Sequence, residues 1–193
     1  MKCAGLILAA GESSRMGSEK KLLMPFDGKP MVNHVLNAAM DSNLDHTCVV
    51  VGHEASKIKT LMENKEIQFV ENDQWSSGMT SSIVAGVQQL NKYDGILILL
   101  GDMPLVTSEL INEIIDHGTP DKIVVPAKKG RQGNPVFFGS KFMYDLMRLE
   151  GDRGAKSLIQ KNRSLVMEIE VQSDAIFKDF DTHESLKAGI GVA

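Results

Sequence analysis

Short aliphatic runs and helix-spaced apolar positions alternate along this chain from its first residues. The runs at 3–8, 47–51, 67–71, 96–100, 122–126, 136–138 and 164–170 read as strands. Between them, 31–40, 56–63, 80–90, 107–117 and 141–149 carry the 3.6-residue spacing of helices, with Pro30 suited to a first helical position. A further short helix is expected close behind Lys156. This alternation predicts βαβ units: an α/β protein with a mostly parallel central sheet and helices on both faces. Ile96-Leu97-Ile98-Leu99-Leu100 contains no polar position, which predicts a strand buried on both sides. No linker, repeat or low-complexity tract interrupts the pattern, so residues 1–193 read as one domain.

In open parallel sheets, ligands bind beyond the carboxyl ends of the strands, so the turns that follow each run are the candidates for chemistry. The first is the richest. Residues 8–25 pass from Leu8-Ala9-Ala10-Gly11 through Glu12, Ser13, Arg15, Met16 and Gly17 to Lys20 and Lys21 before turning apolar again. Small residues let backbone N–H groups approach a ligand closely while cationic side chains converge on it, a combination suited to a phosphate chain. The competing reading is a plain Gly-rich connection, because the spacing matches neither Gly-x-Gly-x-x-Gly nor the Walker loop.

Composition narrows the field. Charged residues make up 24% of the chain and the formal net charge is −4, which argues against nucleic acid as a partner. The apolar runs are far too short to cross a membrane. The chain shows no signal peptide, and Cys3 and Cys48 lie in separate apolar runs, so buried free thiols and a cytoplasmic location are expected. No histidine pair has metal-binding i, i+4 spacing, and no Gly-x-Ser-x-Gly elbow is present.

Several other turns carry two readings each. Asp102, in Gly101-Asp102-Met103-Pro104, suits Mg2+ facing a triphosphate, or else braces its own turn. Gly78-Met79-Thr80-Ser81-Ser82 opens a helix and offers donors to an anion or a base, while Thr80 or Ser81 also suits the N-cap. Trp75 either stacks on a ring or packs. Asn134 and Pro135, in Gly133-Asn134-Pro135, present an amide to a substrate or only turn the chain. Gly151-Asp152-Arg153-Gly154-Ala155-Lys156 is similarly open. Asp181 with Glu184 matches a capping box, and a metal role for Asp181 requires it to reach Asp102.

As a set, these motifs resemble the molybdenum cofactor cytidylyltransferase branch of the MobA-like NTP transferase family. Residues 8–23 match that branch's Leu-Ala-Ala-Gly-x-Ser-x-Arg-Met-Gly-x-x-Lys-x-Leu-Leu pattern, which puts the motif lysine at Lys20. Gly28-Lys29-Pro30, the Gly78–Ser82 segment, Gly101-Asp102-Met103-Pro104, Gly133-Asn134-Pro135, Gly151-Asp152-Arg153-Gly154-Ala155 and Asp179-Phe180-Asp181-Thr182 extend the match in order. The resemblance implies a three-layer Rossmann-like nucleotidyltransferase fold and transfer of CMP from CTP to the phosphate of molybdopterin, with release of pyrophosphate. It implies nucleotide binding by Leu8, Ala9, Ala10, Gly11, Glu12, Ser13, Arg15, Met16, Gly17, Lys20, Gly78, Met79, Ser81 and Ser82. Arg15, Lys20 and Asp102 would be catalytic, and Asp102 with Asp181 would hold Mg2+. The acceptor would meet Asn134, Pro135, Gly151, Asp152 and Gly154, and a molybdenum hydroxylase is a further implied partner. Guanylyltransferases of this kind carry Leu-Ala-Gly-Gly in the first loop, so the methyl of Ala10 favours CTP.

Three positions depart from the branch. Thr80 stands where a small glycine is frequent, Lys156 where arginine is frequent, and His183 where proline is common. The exchange at Lys156 gives up planar bidentate phosphate recognition while keeping charge. Thr80 and Lys156 therefore leave two alternatives standing. One is a same-fold transferase with another NTP or acceptor, such as a guanylyl- or sugar-phosphate transferase. The other is a non-catalytic accessory protein that delivers the cofactor to a molybdenum hydroxylase.

Overall fold

The computed structural model of the chain describes residues 1–12, 21–61 and 66–180. Its main sheet is built on β1 (Cys3–Ala9), hydrogen-bonded in parallel to β4 (His46–Val51) on one side and to β6 (Gly95–Leu100) on the other. Beyond β4 lies β5 (Ile67–Glu71), also parallel. Beyond β6, β9 (Val136–Gly139) runs antiparallel, followed by β7 (Ile123–Lys128) and the parallel β10 (Val166–Glu170). The order is β10-β7-β9-β6-β1-β4-β5, with the two-residue β8 (Arg131–Gln132) paired to β7. A separate hairpin joins β2 (Pro25–Phe26) to β3 (Lys29–Pro30).

Alternation along each strand divides the core into two layers. Cys3, Ile7 and Ala9 of β1, with Leu97 and Leu99 of β6, pack beneath α1 (Met31–Met40), α2 (Ala55–Leu61) and α4 (Ser108–Asp116). Ala4 and Leu6, with Ile96 and Ile98, face α3 (Met79–Gln89), α5 (Met143–Leu146) and α6 (Lys156–Lys161). A period of two on a sheet covered on both faces gives these buried strands their unbroken aliphatic character. The three-layer arrangement expected from the sequence is the one found, and the seven anticipated strands are all present within two residues at either end.

The differences have local causes. The helix expected over 141–149 divides into a 3-10 turn, Ser140–Phe142, and the single turn of α5. The strand expected from 164 begins at Val166, after a 3-10 turn at Arg163–Leu165. Pro30 precedes α1 rather than opening it: its ψ of 137° is extended because it ends β3, paired to Pro25. That hairpin turns on Asp27 and Gly28, both with positive φ, the geometry a two-residue hairpin loop favours. Thr80 and Ser81 do not cap α3. The N-cap is Gly78, at φ 98°, without a side-chain cap bond.

Two expected outcomes test this packing. Leu97, fully buried in β6, should cost about 2–5 kcal/mol when changed to alanine, read as a lower urea midpoint. Burial, aided by Asp45 at Cys3, pushes both cysteine thiols up to about 12 from 9.0. They hold their protons where a free thiol ionises, so a thiol reagent at mildly alkaline pH should modify neither until denaturant unfolds the chain.

Candidate active site

The carboxyl ends of β1, β4, β5 and β6 bring four turns to one rim of the sheet. The turn after β6 is fixed to the end of β1 by the Gly101 N–H, which donates to the Leu8 carbonyl at 3.0 Å. A side chain on Gly101 would bring its Cβ to 2.9 Å from that oxygen, so only glycine allows this approach. Asp102 follows directly and faces the chain where it resumes after the first loop. There the Lys21 ammonium donates to Asp102 Oδ2 at 2.7 Å, with side-chain exposures of 7% and 26%. Asp102 Oδ1 is buried and has no hydrogen-bond partner among the described residues.

Lys21 opens a 3-10 turn, Lys21–Leu23, whose Leu22 packs in the core with β1 and β6. The spacing reading gave the motif role to Lys20 and noted Lys21 only as loop charge. Lys20 lies outside the described residues; the contact that draws Lys21 to the site spans 81 residues, which local pattern does not reach. Ser13, Arg15, Met16, Gly17, Lys20 and Asp181 lie outside the described residues. Leu8, Ala9, Ala10, Gly11 and Glu12 lead into the loop from the end of β1. The Ala10 carbonyl accepts the His53 N–H at 3.1 Å. Its methyl is buried against Trp75 and Gly52, and a Cβ on Gly52 would lie 2.6 Å from Trp75 Cβ and 3.0 Å from Ala10 Cβ. The Trp75 ring also meets His53 edge-on, with centroids 5.0 Å apart. Trp75 thus packs against His53 and Gly52.

Beyond β5, Asn72 organises the turn that leads to α3. Its buried Nδ2 donates to Ser81 Oγ at 2.8 Å and to Ser82 Oγ at 3.0 Å, and its Oδ1 accepts the Gln74 N–H. Ser81 Oγ in turn lies 2.9 Å from the Gln74 and Gly78 carbonyls. The Ser81 and Ser82 hydroxyls therefore spend their hydrogen bonds inside the protein, shaping the loop. Met79 is 44% exposed beside them.

A cavity of about 300 Å³ lies further along the same rim, between α3, the β7–β9 region and the start of α6. Ile83, Ile98, Val136 and Phe138 give it apolar walls, and Gln132, Asn134, Arg153 and Lys156 supply its amides and cations. Of the expected acceptor residues, Asn134 lines it. Pro135 is buried behind it, after a cis Asn134–Pro135 bond, and Gly151, Asp152 and Gly154 belong to the loop that carries Arg153 and Lys156. The Gly133 N–H donates to the Pro126 carbonyl of β7 at 2.8 Å, and Asn134 is held from outside the sheet, its N–H donating to the Ile176 carbonyl at 2.9 Å. The segment that supplies this carbonyl continues to Phe180, buried against Phe26 and Met31 with Met24 and Leu105 alongside. Among the described residues no group of three or more His, Cys, Asp or Glu side chains is placed to hold a metal ion. No described helix is long and apolar enough to cross a membrane.

Comparison with known proteins agrees with this architecture. The model of the MobA-like NTP transferase domain matches residues 5–166. A curated relative, bifunctional protein GlmU of Janthinobacterium sp. (strain Marseille), is 32% identical over 135 residues, covering 69% of this chain and 29% of that protein. The chain thus spans less than a third of the length of that relative. Among solved structures, Rv0371c of Mycobacterium tuberculosis H37Rv is 26% identical with a TM-score of 0.87, covering 99% of this chain and 98% of that one. A second structure of that protein, in complex with manganese, gives 25% and 0.84 with full coverage of both chains. A nucleotidyl transferase from Methanothermobacter thermautotroptrophicus, Mth528, shares the fold at 21% identity and a TM-score of 0.85, covering 97% of this chain and 95% of that one. With its domain match spanning β1 to the start of β10, the chain belongs to the MobA-like NTP transferase family of nucleotidyltransferases.

Proposed function

We propose that this chain, as one nucleotidyltransferase domain, transfers CMP from CTP to the terminal phosphate of molybdopterin and releases pyrophosphate, serving molybdenum hydroxylases in the cytoplasm. The observation that carries the reading is the Lys21–Asp102 pair, a buried ammonium and a strand-end carboxylate 2.7 Å apart at the mouth of the first loop. A triphosphate needs cationic donors on its oxygens and a carboxylate for its metal, and both are within one turn's reach here. Lys21 joins Arg15 and Lys20 as a phosphate ligand.

The residues present fit a hard divalent cation. Asp102 keeps one buried oxygen without a partner among the described residues, and such a cation needs only one or two protein carboxylates when phosphates supply the rest. Asp102 would hold Mg2+, with Asp181 as second ligand, and the ion would supply neutralisation of charge on the phosphates. That Rv0371c, similar over its full length, has been solved in complex with manganese supports a divalent cation for this chain.

In the reaction, an oxygen of the acceptor phosphate forms a bond to the α-phosphorus. The bond from that phosphorus to the α–β bridging oxygen breaks, and its electron pair leaves with pyrophosphate. The protein holds the two reactants in line and balances their charge, which accounts for most of the catalysis such a transfer requires. The cavity suits the acceptor's ring body against Ile83, Ile98, Val136 and Phe138, with the Asn134 amide available to it. One observation favours a second reading, transfer with another NTP or acceptor: curated relatives bear the name bifunctional protein GlmU.

Calorimetric titration with CTP, GTP and ATP, with and without Mg2+, tests the proposal. CTP should bind in a Mg2+-dependent way, and Asp102→Ala should abolish that dependence. Preference for GTP or ATP would transfer the reading to the second class. No binding of any triphosphate would overturn transfer and leave a cofactor-binding accessory protein. Separately, Lys21→Met should weaken CTP binding at least tenfold, about 1.4 kcal/mol or more, and lower stability by about 1–3 kcal/mol, because the remaining Asp102 charge loses its buried partner.

A further inference from the structure

We infer that Thr80 is a positioning residue: its buried hydroxyl holds the 151–156 loop, and with it Arg153 and Lys156, at the wall of the cavity. Thr80 lies in the first turn of α3 and is 3% exposed, and its Oγ1 accepts the Gly154 N–H at 3.0 Å. Helix capping does not claim this hydroxyl, because the N-cap is Gly78 and has no side-chain bond. The neighbouring Ser81 and Ser82 hydroxyls are bound to Asn72, so Thr80 alone among the three hydroxyls reaches across to the loop.

The loop around this contact is exposed at Gly151, Asp152, Arg153 and Lys156, whereas Gly154 is buried. Gly154 sits at φ 62° against Met79 and Ile83, and Asp152 covers Gly78. Arg153 precedes the anchored glycine by one residue and Lys156 follows it by two, and both line the cavity. Where the Gly154 N–H is held therefore sets where the two cations stand. A residue without a hydroxyl at position 80 leaves that N–H buried with no acceptor, and serine restores it. The consequence for catalysis rests on the acceptor reading above; the hold on the loop does not.

The test compares Thr80→Val and Thr80→Ser, with Thr80→Ala as a second hydroxyl-free variant should valine prevent folding. Exchange of the Gly154 amide and tryptic cleavage after Arg153 should be about tenfold faster without the hydroxyl and within about twofold of wild type with serine, since local opening follows the loss of the anchoring bond. CTP binding should stay within about twofold in all variants, while the KM for molybdopterin rises about tenfold in the valine variant with kcat little changed, the pattern of lost uniform binding. Serine should restore that KM. Wild-type protection of Gly154 in the valine variant would overturn the proposal. So would lost CTP affinity, or a fall in kcat, with the molybdopterin KM unchanged. If the wild-type protein does not turn over molybdopterin, the acceptor reading fails, and exchange and proteolysis still decide whether Thr80 holds the loop.

Discussion

One backbone hydrogen bond, from Gly101 to the Leu8 carbonyl, sets the frame for the whole rim. It continues the β1–β6 ladder one step past the last paired residues, Leu8 and Leu100. The turn bearing Asp102 is thereby referenced to the start of the first loop without depending on side-chain conformation. Burial of both strands on both faces keeps this reference rigid, because a shift of one residue in register would turn every side chain to the wrong layer. Glycine at 101 is required by space rather than by an unusual φ. The same logic recurs at Gly52, where the backbone lies flat against Trp75 and next to Ala10.

The Lys21–Asp102 pair, on which the proposed triphosphate site rests, brings a buried ammonium to a strand-end carboxylate. Taking an ammonium out of water costs several kcal/mol, which its ion pairs must offset. Aliphatic residues would fill the same space without the cost. A compact ammonium on a flexible stem, opposite a carboxylate with a buried oxygen to spare, is better suited to exchanging partners when an anion arrives. The cavity beyond has the complementary design: aliphatic and aromatic walls, with amides and cations confined to its exposed side.

Much of the fold was legible because it rests on local periodicity. The unbroken run at 96–100 could only be a strand covered on both faces, and the helix boundaries at 31–40 were readable to the residue. The reversed direction of β9 was not, since a short apolar run carries no sign of which way it will lie. The β2–β3 hairpin was missed although Asp27-Gly28 advertised it, because each arm is only two residues long. At the site, the turns were legible and their wiring was not. Asp102 was readable as a strand-end residue, Asn134 as part of a turn feeding a strand, and 151–156 as a loop before a short helix. The identity of the buried lysine, the Asn72 hub and the Thr80–Gly154 bond each depend on contacts between distant elements. A pattern search along one dimension has no access to these.

The passage from Ser173 to Phe180 has a consequence for how the molecule is assembled. It supplies the carbonyl that fixes Asn134, presses Ile176 against Gly133, and inserts Phe180 between elements formed more than a hundred residues earlier. The central strands β1, β4, β5 and β6 have all been synthesised by residue 100, yet the edge of the cavity is finished only when this late passage lies across it. During translation the sheet's first half can therefore form well before the cavity does. A nascent chain gains its complete rim only once residues 173–180 have been made.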